Sequence, residues 1–168
     1  MPISMYKTSI PRFIHTLGTL NAILDKAQAY EAAKKIDATV LPSARLFPDM
    51  LPLTAQVQIA CDTAKGAACR LSGVTNPVFE DNEKTLADLK ARVDKTIGFL
   101  KTLKAEQIDG TEDKELIVKV GGNDTKFAGL QFLLGRSMPN FYFHVTTAYN
   151  ILRHNGVEIG KRDYLGPA

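Results

Sequence analysis

The chain has 168 residues and a formal net charge of +3, with 45% hydrophobic residues, a length and composition that suit one soluble domain spanning residues 1–168 with a sizeable core. Its 21 basic residues are spread out, the densest pair being Lys161-Arg162, which leaves no concentrated basic face for nucleic acid. No stretch of about 18 apolar residues could span a membrane, and Met1-Pro2-Ile3-Ser4-Met5-Tyr6-Lys7 lacks the charged-then-apolar order of a secretory signal, so a cytoplasmic location is expected.

Residues 4–35 read as a long helix, with Phe13, Leu17, Leu20, Leu24 and Ala27 on one face. Pro11 either opens its main part or kinks it, and Ser9 is a candidate cap. Pro42, Pro48 and Pro52 then interrupt helix. Leu41, Leu46, Phe47, Met50 and Leu51 predict that this connection packs down onto the domain. A second helix covers residues 52–71, with a small-residued stripe of Val57, Cys61, Ala64, Ala68 and Leu71, and Gly73 as its stop. The stripe lets a neighbouring helix approach closely or leaves room for a cavity. Cys61 and Cys69, eight apart, lie about 12 Å apart along such a helix. A disulfide needs Cα atoms within about 7 Å, so free thiols are expected.

A third helix runs over residues 81–104, with the stripe Leu86, Leu89, Val93, Thr96/Ile97, Leu100 and Leu103. Leu116-Ile117-Val118-Lys119-Val120, Gly121-Gly122-Asn123-Asp124 and Thr125-Lys126-Phe127 switch to a period of two and predict a β-hairpin. A fourth helix covers residues 128–155, kinked or broken at Pro139 and ended by Gly156. Its buried stripe is Phe141, Val145, Ala148 and Leu152. The tail Gly160–Gly166 reads as irregular. The expected fold is all-α: a four-helix bundle with a long packed connection between helices one and two and a small hairpin between helices three and four.

Three histidines are present. His15 falls off the buried stripe of its helix, and His154 lies in the last turn of helix four, where it complements the helix dipole. His144 differs, because it sits in the aromatic run Phe141-Tyr142-Phe143-His144 at i+4 from Asn140. Its face, with Thr147 and Ile151, borders the apolar stripe. On helix two, Gln58, Asp62 and Lys65 form a similar polar row. Two readings stand. His144 is a hydrogen-bonded core residue held by Asp62 or a backbone carbonyl. Otherwise Gln58, Asp62, Asn140 and His144 converge on a small-molecule site, with Tyr142 and Tyr149 as donors at its rim. In the second reading His144 is the catalytic, proton-transfer residue, its ordinary pKa of about 6.5 being near neutrality. Zinc or nickel sites want three good ligands. Only His144 and Asp62 qualify here, so no cofactor is expected; a divalent metal would fall to that pair. No phosphate loop, nucleophile elbow or paired-cysteine motif is present.

The segments Gln56-Val57-Gln58-Ile59-Ala60-Cys61-Asp62, Pro139 to His144, Arg153-His154-Asn155-Gly156 and Gly160-Lys161-Arg162-Asp163-Tyr164-Leu165-Gly166 together resemble a bacterial family described as a domain of unknown function. The resemblance covers essentially the whole chain. That family is similar to the DinB-like superfamily of four-helix bundles, whose relatives include metal-dependent thiol transferases and isomerases, often dimeric. The resemblance implies a homodimer. It also implies a place for three metal-binding histidines, one on helix two and an i, i+4 pair on helix four. His144 takes the second helix-four place and Asn140 the first, while Gln58 or Asp62 stands on helix two. Val145, Thr146 and Thr147 stand where Arg-Gly-Gln commonly follows. With two of three ligands replaced, the resemblance implies a hydrogen-bonding pocket rather than a standard three-histidine thiol transferase. The other function class is a non-catalytic bundle that binds itself or a partner.

Overall fold

A computed structural model describes residues 3–167. Helix α1 spans Met5–Lys34. Its cap is Ser4, whose Oγ accepts from the Lys7 amide, and Ser9 instead donates back to the Met5 carbonyl at 2.6 Å. The helix therefore starts before Pro11, and Pro11 lies on its exposed side, where water can take the carbonyl bond that proline forgoes. The connection that follows holds a short helix, α2 (Val40–Ser43). Leu41 and Pro42 are buried, and Thr54 Oγ1 donates to the Pro42 carbonyl at 3.0 Å. The packing expected of Phe47 and Leu51 does not occur. Phe47 is 63% exposed and Leu51 46%, because a turn from Phe47 to Met50 points this stretch outward.

Helix α3 (Leu53–Ser72) ends at Gly73 in the left-handed region, φ +79°. An extended stretch leads to α4 (Leu86–Leu100), which begins five residues later than expected. A capping box sets the start: Asp88 N–H donates to Thr85 Oγ1, and the Thr85 amide donates back to Asp88. Strands β1 (Glu115–Val120) and β2 (Asn123–Ala128) pair antiparallel, Glu115 opposite Ala128. Gly121 and Gly122 both have positive φ, as a two-residue hairpin turn requires. Leu116 and Val118 turn inward and Ile117 outward.

The fourth long helical segment changes its helix type just before Pro139. It comprises α5 (Gly129–Phe132), a π-helical turn over Leu133–Ser137 and α6 (Met138–His154). The Met138 amide donates to the Leu133 carbonyl, five residues back. The wider turn gives the Pro139 ring room against the preceding carbonyls, so the chain stays helical. The tail is not irregular. Lys161–Leu165 form helix α7 against α1, held by Lys26–Asp163 at 2.7 Å and by His15 Nε2 on the Leu165 carbonyl at 2.7 Å.

The four long helical segments share one core. Helix α3 packs on α6 and α4, and α1 packs on α4, α6 and α3. Phe13 of α1 meets Phe141 of α6 edge-on at 4.9 Å. The alanine-rich face of α3 (Ala60, Ala64, Ala67 and Ala68, all buried) lets α6 lie close along it. No helix among the described residues is long and apolar enough to cross a membrane.

Candidate functional site

The seam between α3 and α6 carries the polar residues singled out by the sequence. The two helices run antiparallel: His144 meets Gln56, and Asn140, one turn earlier, meets Thr63, two turns later on α3. His144 is 8% exposed and Gln56 2%. Gln56 Oε1 lies 2.7 Å from His144 Nδ1, while Gln56 Nε2 donates to the Leu51 carbonyl at 3.1 Å. The second bond fixes which way the amide points. Oε1 therefore faces the ring, Nδ1 carries the hydrogen, and Nε2 keeps its lone pair. Burial pushes the His144 pKa below its ordinary value. The core-histidine reading thus holds in kind but with a different partner from the Asp62 or backbone carbonyl expected.

Gln58, Asp62, Asn140 and His144 do not converge on one point. Gln58 Nε2 donates to Glu83 Oε2 at 2.7 Å, facing the connection before α4. Asn140 Nδ2 donates to Thr63 Oγ1 at 2.9 Å. Asp62 is held by Arg92, Nη2 to Oδ2 at 3.0 Å, and its Oδ1 lies 3.1 Å from Lys65 Nζ at ion-pair distance without hydrogen-bond alignment. Tyr142 stacks edge-on against Phe141, and Tyr149 against Tyr164 of α7. Neither tyrosine rims a site with His144; aromatic packing takes both.

Behind Asp62 lies a charge cluster, centred on the buried Arg92, that the sequence did not announce. Arg92 binds Asp62, Asp81 at 2.9 Å, Glu83 at 2.9 Å and the Glu80 carbonyl at 3.1 Å. Burial alone would raise Glu83, but donors from Gln58 and Arg92 hold its carboxyl below the usual range. Lys65 donates to the Pro77 carbonyl at 2.8 Å and sits 3.9 Å from the Phe79 ring centre, with Lys95 4.1 Å from the same centre. The cluster pins the 74–85 connection to α3 and α4.

Asp62 and Asn140 do share one concavity. A cleft of about 250 Å³ opens between α3, the π turn and the hairpin, lined also by Thr63, Arg70, Arg136 and Ser137 and by the apolar Ile59, Val118 and Phe132. The π turn, a feature often found at functional sites, brings Arg136 and Ser137 to this cleft. Sequence reasoning missed Gln56, Thr63, Arg70, Arg136 and Ser137. Only Gln56 was within reach: it lies at i+3 from Leu53 and i−4 from Ala60, on the buried face.

A three-histidine metal does not fit these residues. Among the described residues no three His, Cys, Asp or Glu side chains are grouped to hold an ion. The corresponding positions carry amides, and Asp62 is committed to two cations.

No curated protein matches the chain. A crystal structure of a DinB family member protein from Shewanella denitrificans is similar over 97% of this chain and 92% of its own, with 42% identity and a TM-score of 0.91. The model of the domain of unknown function DUF1993 matches residues 5–165. With four long helical segments round one core and a small hairpin at one end, the chain belongs to the DUF1993 family and is similar to the DinB-like superfamily.

Proposed function

We propose that this protein is a DinB-type four-helix bundle that binds a small molecule in the cleft between α3 and the π turn, and that it is not a standard three-histidine thiol transferase. The observation that carries the reading is the cleft's lining. Asp62, Thr63, Ser137 and Asn140 bring polar groups to it, and Ile59, Val118 and Phe132 bring apolar ones. A concave, mixed lining at a helix–helix seam is where bundle proteins hold ligands. The volume is below the roughly 300–1,000 Å³ of drug-sized pockets, which points to a small metabolite. His144 supports the seam from behind and is not the ligand's contact.

The test is a fragment screen on the labelled protein, followed by amide chemical shifts. Fragments that bind should move the amides of Thr63, Ser137 and Asn140 together, and Asn140→Ala should weaken them. Hits that cluster elsewhere would overturn the assignment. Elemental analysis tests the other half: stoichiometric zinc or nickel that is lost in His144→Ala would overturn the metal-free reading.

The alternative, self-association, is favoured by one observation. Phe143 is 57% exposed beside His144, which reaches the exposed Leu51 through Gln56. A homodimer built on this apolar side would dissociate on Phe143→Asp, as read by sedimentation equilibrium; an unchanged mass would remove this reading.

A further inference from the structure

We propose that the ligand of the α3–π-turn cleft is a small anion bearing a carboxylate or phosphoryl group, bound by Arg70 and Arg136. The inference rests on the cleft being the binding site and names the ligand's chemistry. Both arginines line the cleft. Every ion pair among the described residues involves other groups, so neither guanidinium has a carboxylate partner. Arg92, by contrast, is paired with three carboxylates.

Arg70 is held in place without being neutralised. Its guanidinium lies 5.8 Å from the Phe132 ring centre. On the other side it occupies the hollow left by Gly66, where a Cβ would come within 2.7 Å of Nη1. A guanidinium positioned by a ring and a glycine keeps its donors for something else. Such a fork recognises carboxylate and phosphate oxygens through paired N–H bonds.

Ser137 provides the second, independent observation. It is 3% exposed and lines the same cleft. Its hydroxyl can donate to an oxygen of a bound anion. Thr63 and Asn140 add further polar groups to the same lining. Asp62 is the one acid in the lining, and its charge is offset from behind by Lys65 and Arg92. The cleft as a whole therefore favours negative charge.

The experiment titrates the full chain with inorganic phosphate, with succinate and with neutral glycerol, followed by amide chemical shifts. Phosphate or succinate should move the amides of Thr63, Arg136, Ser137 and Asn140 saturably, and glycerol should not. The tighter of the two anions identifies the group. Arg70→Gln and Arg136→Gln should each weaken that anion by roughly tenfold or more, the loss of a charged hydrogen bond. Gly66→Ala should weaken it too, by displacing Arg70, while the thermal midpoint tracks fold integrity. If neutral fragments bind the cleft and neither anion does, the anion assignment is overturned and the cleft reading stands. If nothing moves these amides, both fall. Undiminished anion binding in the Arg70→Gln/Arg136→Gln double variant also overturns the assignment.

Discussion

Gln56 on α3 sets the tautomer of His144 on α6. Its amide is oriented by the Leu51 carbonyl, and its Oε1 takes the Nδ1 hydrogen at 2.7 Å. One glutamine thus ties the end of the long connection, α3 and α6 into a single chain of bonds. Replacing it with methionine keeps the volume and removes both bonds. Gln56→Met should cost about 1–3 kcal/mol, the range for a buried donor left unpaired. Urea unfolding measures it, and a change within error of zero would mean that water replaces the amide.

The same ring gives a pH dependence. Burial lowers the His144 pKa in the folded state. As pH falls through the unfolded value of about 6.5, the unfolded chain takes up a proton that the folded chain still refuses. The stability from the neutral ring is therefore complete above that pH and lost as pH falls toward the lower native value. Wild type should lose more stability than His144→Gln between about pH 7.5 and pH 5. The ring resonances of His144 should titrate below those of a free histidine. Equal losses in the two proteins would remove the claim.

How much of this was legible follows the physics of each element. The stripes Phe13–Leu17–Leu20–Leu24 and Leu86–Leu89–Val93 are local periodicities, and both lie in the core as read. Gly121-Gly122 marked its hairpin for the same reason: two consecutive positive φ angles need glycine. Other features depend on neighbours distant in sequence. Residues 81–83 look helical by composition, but the Thr85–Asp88 box starts the helix later, and Asp81 and Glu83 go to Arg92. Pro139 signals a disturbance without saying that a π turn will absorb it. At the candidate site, helical spacing placed His144 and Asn140 on α6 but could not say which α3 residues face them. The antiparallel register gives Gln56 and Thr63 rather than Gln58 and Asp62.

Arg92 is the strongest point for a destabilising substitution. Its side chain is 1% exposed and that of Glu83 8%, so Arg92→Met leaves a buried carboxylate without its cation. Breaking a buried pair from one side costs about 3–5 kcal/mol. Arg92→Met/Glu83→Gln should recover part of that loss, and a double variant no better than the single one would count against the pairing. The acid limb follows from the lowered Glu83 pKa. Its contribution is present above the unfolded glutamate value of about 4.3 and lost as pH falls through the native value. Glu83→Gln should flatten that limb.

The thiols should be inert in the folded protein. Cys61 is fully buried, and burial pushes its thiol up to about 12. Cys69 is also raised by burial but retains slight exposure. Thiolate is the reactive form, so near pH 8 an aromatic disulfide reagent should label Cys69 slowly and Cys61 only at the rate of unfolding. Two thiols should react at once in denaturant, since both cysteines are free. Rapid native labelling of Cys61→Ser and Cys69→Ser variants alike would contradict the burial.

Gly129 is where the hairpin hands over to the helical segment that lines the cleft. A Cβ there would lie 2.0 Å from the Thr111 carbonyl oxygen, and the next amide, Leu130, donates to the Glu112 carbonyl at 2.8 Å. The neighbour is backbone and cannot swing aside. Gly129→Ala should therefore destabilise by about 1–3 kcal/mol or more, the cost of overpacking. Because α5 leads directly into the π turn, the same change should disturb Arg136 and Ser137 and weaken whatever the cleft holds. Gly135→Ala is the matched control. It lies in the π turn with nothing within 4 Å of an added Cβ, and alanine should gain up to about 1 kcal/mol there from helix propensity. Denaturant unfolding of the two variants side by side separates a contact effect from a general intolerance of this segment. If Gly129→Ala proves as stable as Gly135→Ala, the loop over residues 111–112 is not the anchor described.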